Sequence, residues 1–332
     1  MAPRFSFLTT AHRTEHVIGA TVRSVQAQTD PDWELVVVDN GPSDRMARTV
    51  RRLAAADPRI RLLRRENDGV VGGIRAAAGA ARGRYLAQLN SDDLLHPRWA
   101  ERLGGVLDAR PEVTAVSCDA WRFDDVTGLP LPGSYDEVWG AARSGPDTAL
   151  TLADLVERMC PYYTAAVRRE AWPFTGLHQR DAVVTDMVVF LRLVTGGGTV
   201  VSLPERLAGY REASSSLSRG PHAELAVERA RARVLAAFVE RHGGPAEKAA
   251  LDRERERSRY RQGVVGSRSA LLDGDRAGAR RAIREALRLR RDRRTLAVAA
   301  GVHLAPAIVG RLDRGYRDGT LARRFPAAVT GR

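Results

Sequence analysis

Cysteine is scarce in the 332-residue sequence. The two present, Cys118 and Cys160, lie far apart and form neither a C-x-x-C pair nor a Cys/His spacing of the zinc-binding kind. A disulfide scaffold and a structural zinc site are therefore not expected, and a reducing cytoplasm is the natural compartment. Long apolar runs are missing as well. No stretch approaches the ~18 uncharged apolar residues of a membrane span. The nearest, residues 295–310, holds His303 and Pro306 and reads as a core helix or helix pair. The apolar run within residues 1–10 is too short for a signal-peptide core and passes directly into a strand-like pattern. Lysine hardly occurs, so the formal net charge of +13 is carried almost wholly by arginine. That charge suits diphosphate-bearing ligands, anionic acceptors or an anionic membrane face, although a GC-rich genome also yields arginine. Nucleic-acid binding is not expected, because arginine content is its sole support and no aromatic platform or recognised module accompanies it.

What is present is ordinary globular composition, 44% hydrophobic and 28% charged, in a chain long enough for one large domain and an appendage. Two periods alternate along the first third. Strand patterns at residues 5–8, 33–38, 60–63, 85–89 and 113–117 are separated by helical spacing at 15–28, 43–56, 71–81 and 97–109. Ser43 or Asp44 is a plausible N-cap. This alternation predicts an α/β fold, a mostly parallel sheet flanked by helices, with right-handed crossovers gathering the post-strand loops on one edge. Residues 119–145 read as an excursion over the resulting cleft. Then follow a short helix at 151–159, a strand at 162–167, a helix at 186–194 and short strands at 199–203 and 207–210. Beyond about residue 220 the chain turns to arginine-rich helices at 223–241, 246–261 and 276–291, including a helix hairpin around Asp273-Gly274-Asp275. The expected division is 1–218 for the α/β domain and 219–332 for an all-α region.

In open α/β sheets, ligands bind outside the carboxyl ends of the strands. Four segments fall there: Thr9-Thr10-Ala11-His12-Arg13, Asp39-Asn40-Gly41, Glu66-Asn67-Asp68-Gly69 and Asn90-Ser91-Asp92-Asp93. All are polar, and three carry carboxylates. One polar loop means little, but four at matching positions point to a phosphate- and cation-binding cleft.

The ordered set of segments resembles the family 2 glycosyltransferases, which have the GT-A fold, the Rossmann-like fold of nucleotide-diphospho-sugar transferases. Gln28-Thr29 is similar to the family's "QT", residues 36–44 to "VVVDDGSxD", Asp57-Pro58-Arg59-Ile60 to "dpRI", and Asn67-Asp68-Gly69 with Ala81-Arg82-Gly83 to "NxG…AxG". Residues 89–93 sit at "lDxDD", residues 185–193 at "EDydLwlRL", and Tyr210-Arg211 with Ser216-Leu217-Ser218 at "YRxHxxSxS". The resemblance implies transfer of a sugar from a nucleotide diphosphate donor (UDP, GDP or dTDP) to an acceptor hydroxyl on a glycan, lipid-linked or natural-product acceptor. It assigns Asp186 as the base of an inverting mechanism, with donor binding in the N-terminal half and acceptor binding in residues 119–218. Asp39 would accept from the nucleobase, with Thr9 and Thr10 lining the same pocket. Arg13 and Arg75 would reach the diphosphate, and Asn67, Gly69, Asn90 and Ser91 would border it. Asp92 and Asp93 would hold Mg²⁺ or Mn²⁺, since hard carboxylate oxygens bridge such ions to phosphate.

Four positions depart from the pattern. Asn90 replaces a carboxylate, Ala213 stands where a metal-ligating His is expected, Ala11-His12 replaces Tyr-Asn, and Thr185 replaces the Glu of "ED". These weaken the expectation of a metal and leave room for a nucleotide-sugar-binding protein without turnover. A nucleotidyltransferase shares the broad architecture, but residues 9–13 lack the Gly-rich phosphate loop of that class. The basic helices suggest a homodimer interface or a peripheral contact with the inner face of the membrane.

Overall fold

The computed structural model describes residues 2–41, 44–173, 179–213, 216 and 220–304, and the chain forms two compact units that meet in sequence between Glu212 and Ala213. Ser43, Leu217 and Ser218, singled out in the sequence, lie outside the described residues, as does the run after residue 304.

The first unit is built on an eight-stranded sheet. β1 (Phe5–Ala11), β2 (Trp33–Asp39), β3 (Ile60–Arg64) and β4 (Tyr85–Gln88) are parallel, in spatial order β3-β2-β1-β4. β2 is buried along its whole length, which is why Leu35 to Val38 form an apolar run rather than an alternating one. Residues of β1 divide between the faces. Phe5 and Phe7 pack with Tyr85 and Trp99 at ring distances of 5.4–5.9 Å, while Leu8 joins Val36 and Val38 against the helix on the other side. The flanking helices are α1 (Ile18–Gln26), α2 (Asp44–Ala56), α3 (Gly69–Ala80) and α4 (Trp99–Ala109).

Two of the short motifs turn out to be joints. Gln28 donates to the carbonyls of Ser24 and His96 and accepts from the N–H of Ala100, while the Thr29 N–H donates to Pro97, tying the end of α1 to the start of α4. Ala81-Arg82-Gly83 closes on buried Glu34. The N–H of Arg82 donates to that carboxylate, and the N–H of Gly83 donates to Ser6 Oγ at 2.7 Å. A Cβ on Gly83 would lie 2.5 Å from the Phe5 carbonyl carbon, so the close approach requires glycine.

The sheet continues β4-β7-β6-β8-β5 and becomes mixed. β6 (Val113–Asp124) and β8 (Thr199–Glu212) run parallel along most of their length, and an irregularity opposite Asp119 absorbs the extra residues of β8. Sequence periodicity broke β8 into two short strands because this irregularity interrupts its pattern. β7 (Ala166–Arg168) lies antiparallel between β4 and β6. The strand expected over 162–167 is thus confined to its end, because Tyr162 and Tyr163 turn into an aromatic cluster instead of a ladder. β5 (Leu94–Leu95) pairs antiparallel with β8, Leu94 opposite Gly209. Two short helices, α5 (Tyr135–Trp139) and α6 (Leu152–Glu157), each begin with a capping box, at Ser134 and Thr151. α7 (Thr185–Thr195) follows a 3₁₀ turn at Gln179–Val184.

The second unit is helical: α8 (Pro221–His242), α9 (Pro245–Leu272), α10 (Arg276–Leu289) and α11 (Arg293–Leu304). α9 extends well past the expected 246–261. Gly263 lets α10 approach closely, with its virtual Cβ about 3.0 Å from Ala282 and Ala286. Arg231 and Glu254 form a buried ion pair between α8 and α9, extended by Arg261 to Glu228. No described helix is long and apolar enough to cross a membrane.

Candidate active site

Parallel register fixes the first half of the site. Ala11 stands opposite Asp39, and Asp39 opposite Arg64, so the carboxyl ends of β1, β2 and β3 finish level. Asp39 is buried. Its Oδ1 accepts from the Gly41 N–H at 3.0 Å, and its Oδ2 faces Arg64 Nε at 3.4 Å without a hydrogen bond. Thr9 Oγ1, Thr10 Oγ1 and Asn40 Oδ1 are also buried without a hydrogen-bond partner. Buried polar atoms are rarely left unsatisfied in folded proteins, so these oxygens at the strand ends are candidates for contact with a polar ligand. α3 crosses close to Thr10, where a Cβ on Gly73 would lie 2.6 Å from its Oγ1.

Asn67 is a brace at this edge. Its Oδ1 accepts from the Gly69 N–H at 3.0 Å and from Asn40 Nδ2 at 3.3 Å, and Gly69 takes a positive φ of 80° that opens α3. Arg13 follows β1 with a positive φ of 58°, unusual for a side-chain-bearing residue and typical of constrained functional loops. Arg13 and Arg75 are both exposed.

The Asn90–Asp93 turn lies after β4. Thr14 Oγ1 donates to Ser91 Oγ at 2.8 Å, and Thr21 Oγ1 donates to the Ser91 carbonyl, tying the turn to the β1–α1 segment. Asn90 accepts weakly from Gln88. Asp93 is buried and committed. Its Oδ1 accepts from the Arg211 N–H at 2.7 Å and its Oδ2 from Tyr162 Oη at 3.1 Å. Burial, and then the charge of Asp92, push the Asp93 carboxyl well above the usual carboxylate range. Asp92 is half-buried. Burial raises its pKa too, Asp125 adds to the rise, and Arg211 and His16 oppose it. Among the described residues, no three His, Cys, Asp or Glu side chains stand together as a metal site.

An aromatic cluster adjoins Asp93 through Tyr162. Tyr162 packs edge-on to Tyr135 at 5.2 Å, and Tyr135 packs against Trp139 at 4.8 Å and Tyr210 at 5.5 Å. The phenol of Tyr135 is buried and its pKa rises well above normal, first by burial and then through charges that include Asp186. Asp186 lies in the first turn of α7, but the N-cap is Val184 and no side chain caps the helix. Its carboxylate therefore does not serve as the N-cap, which is the structural role most often expected of Asp at a helix start. Burial raises its pKa.

The family described as "Glycosyl transferase family 2" matches residues 6–171, half of the chain. The chain is a family 2 glycosyltransferase. The transferase is 29% identical over 222 residues to the putative teichuronic acid biosynthesis glycosyltransferase TuaG of Bacillus subtilis, covering 65% of this chain and 82% of that one. Other curated relatives are matched over a minor part of their own length: 36% of an uncharacterized glycosyltransferase of Haemophilus influenzae and 11% of protein y4gI of Sinorhizobium fredii. Among solved structures, S. aureus TarS 1–349 in complex with UDP-GlcNAc aligns with a TM-score of 0.57 at 14% identity, covering 96% of this chain and 91% of that one. The mannosyltransferase PcManGT from Pyrobaculum calidifontis, in complex with GDP-Man and Mn²⁺, aligns with a TM-score of 0.55 at 15% identity, covering 98% and 88%. These likenesses give the transferase its GT-A fold.

Sequence reasoning passed over several residues that the structure brings to this site. Arg211 was legible within the "YR" pair, but nothing in the sequence gave it a task. Asp125 lay in the excursion after β6, where no motif guides assignment. Tyr162 and Tyr135 were hidden in an expected strand and an expected loop, and only the folded chain joins them.

Proposed function

We propose that the transferase moves a sugar from a nucleoside diphosphate donor to an acceptor hydroxyl with inversion at the anomeric carbon. The observation that carries this reading is the pair of unsatisfied buried oxygens of Asp39 and Asn40 at the carboxyl edge of the parallel strands, where open α/β sheets bind their ligands. The UDP-GlcNAc and GDP-Man complexes of TarS and PcManGT support the donor class.

In this reading Asp39 accepts from the nucleobase and the two threonines line its pocket. Asn67 and Gly69 hold the pocket wall, Asn90 and Ser91 border the diphosphate, and the exposed guanidinium groups of Arg13 and Arg75 neutralise it. Asp92 is the carboxylate that would hold a Mg²⁺ or Mn²⁺ ion bound together with the donor. The carboxylate of Asp93 is engaged by the Arg211 N–H and Tyr162 and acts as the brace beneath it. When bound, the ion supplies charge stabilisation to the leaving diphosphate. Asp186 takes the proton of the acceptor hydroxyl. The oxygen's electron pair forms the new bond to the anomeric carbon, the bond to the diphosphate oxygen breaks on the opposite face, and the nucleoside diphosphate leaves with that electron pair. A cytoplasmic location, suited to two unpaired cysteines, and a homodimer or anionic-membrane contact through the basic helices belong to the same reading.

The test is nucleotide binding and donor turnover across UDP-, GDP- and dTDP-sugars, with and without Mn²⁺. Binding of one nucleotide class, with turnover of its sugars, is expected. No binding and no turnover in any combination overturns the reading. Binding without turnover favours a nucleotide-sugar-binding protein instead.

A further inference from the structure

Two glycines of the helical unit are required by close packing. Gly263 admits α10, and a Cβ on Gly278 would lie 2.0 Å from Asp275 Oδ2. Gly266 is different. It sits inside α9, where glycine is unfavourable, yet the atoms nearest its virtual Cβ are Leu225 Cδ1 and Cδ2 at 3.8 Å and Ala282 Cβ at 4.0 Å. These are ordinary contacts, so packing does not demand a glycine there. What Gly266 does is line a cavity of about 480 Å³ whose walls come from α8, α9 and α10. That volume falls within the range of about 300–1,000 Å³ common to small-molecule sites.

Part of the wall is small and apolar: Leu225, Ala226, Ala270 and Ala282. The rest is polar and held in place. Ser269 is buried and shares a hydrogen bond with His222 Nδ1 at 2.6 Å, while His222 Nε2 lies 3.4 Å from Asp273 Oδ1. The imidazole is thus fixed at both nitrogens, between the start of α8 and the end of α9. Other polar groups of the lining keep hydrogen-bonding capacity. Asp273 retains its second carboxylate oxygen. Gln262 donates from Nε2 to Ser258 Oγ at 3.1 Å and retains its amide oxygen. Arg229 is exposed and forms no ion pair among the described residues.

One cavity therefore offers acceptors, a forked donor, balanced charges at Arg229 and Asp273, and apolar surface. Phosphate would suit Arg229 but meet the charge of Asp273. A wholly apolar ligand would strand the polar groups. A sugar ring answers both parts of the wall, since its hydroxyls donate and accept and its C–H face is apolar. We propose that this cavity is a second sugar-binding site of the transferase, which takes a neutral sugar unit of a glycan through Arg229, Gln262 and Asp273. The site is contained in the helical unit and uses no residue of the donor reading above.

The experiment is saturation-transfer NMR on the full chain with the methyl glycosides of glucose, galactose, mannose and N-acetylglucosamine, each with and without an excess of UDP, GDP or dTDP. At least one glycoside should give a signal that no nucleotide removes and that inorganic phosphate does not displace. Gly266→Leu sets a side chain between Leu225 and Ala282 and should abolish this signal, with nucleotide binding unchanged. Asp273→Ala, at a position 63% exposed, should weaken the glycoside about 10-fold, the scale of one lost hydrogen bond to a charged group. No signal from any glycoside overturns the inference. Displacement by phosphate overturns it too, because the site would then be an anion site. An unchanged signal in folded Gly266→Leu also overturns it, and if light scattering shows that variant with an altered mass, the groove belongs to a second copy of the chain instead. Should Gly266→Leu not fold, Asp273→Ala decides, and unchanged affinity there overturns the inference. Nucleotide binding is read in the same samples, so failure of this site and failure of the donor reading are told apart.

Discussion

Burial acts on several carboxylates of the α/β unit, with different consequences. Asp186 has its pKa raised by burial alone, apart from help to the charged form by its own backbone N–H. A base must be deprotonated to act. The acidic limb of the kcat/KM profile should therefore lie above the range of an ordinary aspartate, and its absence above pH 4 would argue against Asp186 as the base. Asp136 is the clearer case. It sits buried beside Asp119, met by Arg143 at 3.3 Å, and both its carboxylate oxygens lack hydrogen bonds. Burial first, and then the charge of Asp119, push its pKa to about 7. The folded state thus holds a proton that the unfolded chain releases near pH 4. The resulting stability is fully present below that pH and is lost as pH rises through about 7. Thermal unfolding should show the wild-type Tm falling between pH 5 and pH 8, and Asp136→Asn should flatten that fall. Equal slopes for the two proteins would refute the assignment.

At the scale of elements, two joints carry measurable weight. Gly83→Ala places a methyl group against the β1 backbone, 2.5 Å from a Phe5 atom that cannot rotate away. It should destabilise the α/β unit by about 1–3 kcal/mol in denaturant unfolding, as overpacking does. In the helical unit, Glu254→Ala strips the partner from buried Arg231, whose side chain is 5% exposed. A loss of about 3–5 kcal/mol is expected, because the buried carboxylate that Arg231, Arg257 and Arg261 share is removed. A loss below 1 kcal/mol would mean that the pair is effectively solvated. These elements also show what a sequence reveals. β1 to β4 and the helices between them were legible because each carries one uninterrupted period, and the apolar run of β2 announced its burial. β8 was not, because its irregularity shifts the pattern midway. α5 was not, because a five-residue helix starting at Ser134 has too few turns to show a period. The motifs at Gln28-Thr29 and Ala81-Arg82-Gly83 were legible as resemblance, but their work as joints appears only once their hydrogen bonds are traced.

For the whole molecule, topology decides where chemistry gathers. Parallel β1, β2 and β3 align Ala11, Asp39 and Arg64 by register alone, and the switch to antiparallel pairing at β5 brings Arg211 to the Asp92 turn. The strand-end loops were visible in the sequence because they are local. The aromatic group beside Asp93 was not, because its members come from residues 135, 139, 162 and 210. The proposed function makes Asp186 the base of sugar transfer at the strand-end loops. Kinetics of Asp186→Asn, with nucleotide affinity measured in parallel, tests it most directly. The account predicts unchanged nucleotide affinity and turnover reduced about 10²–10⁴-fold. Full turnover in that variant, with the same donor and acceptor, would contradict it.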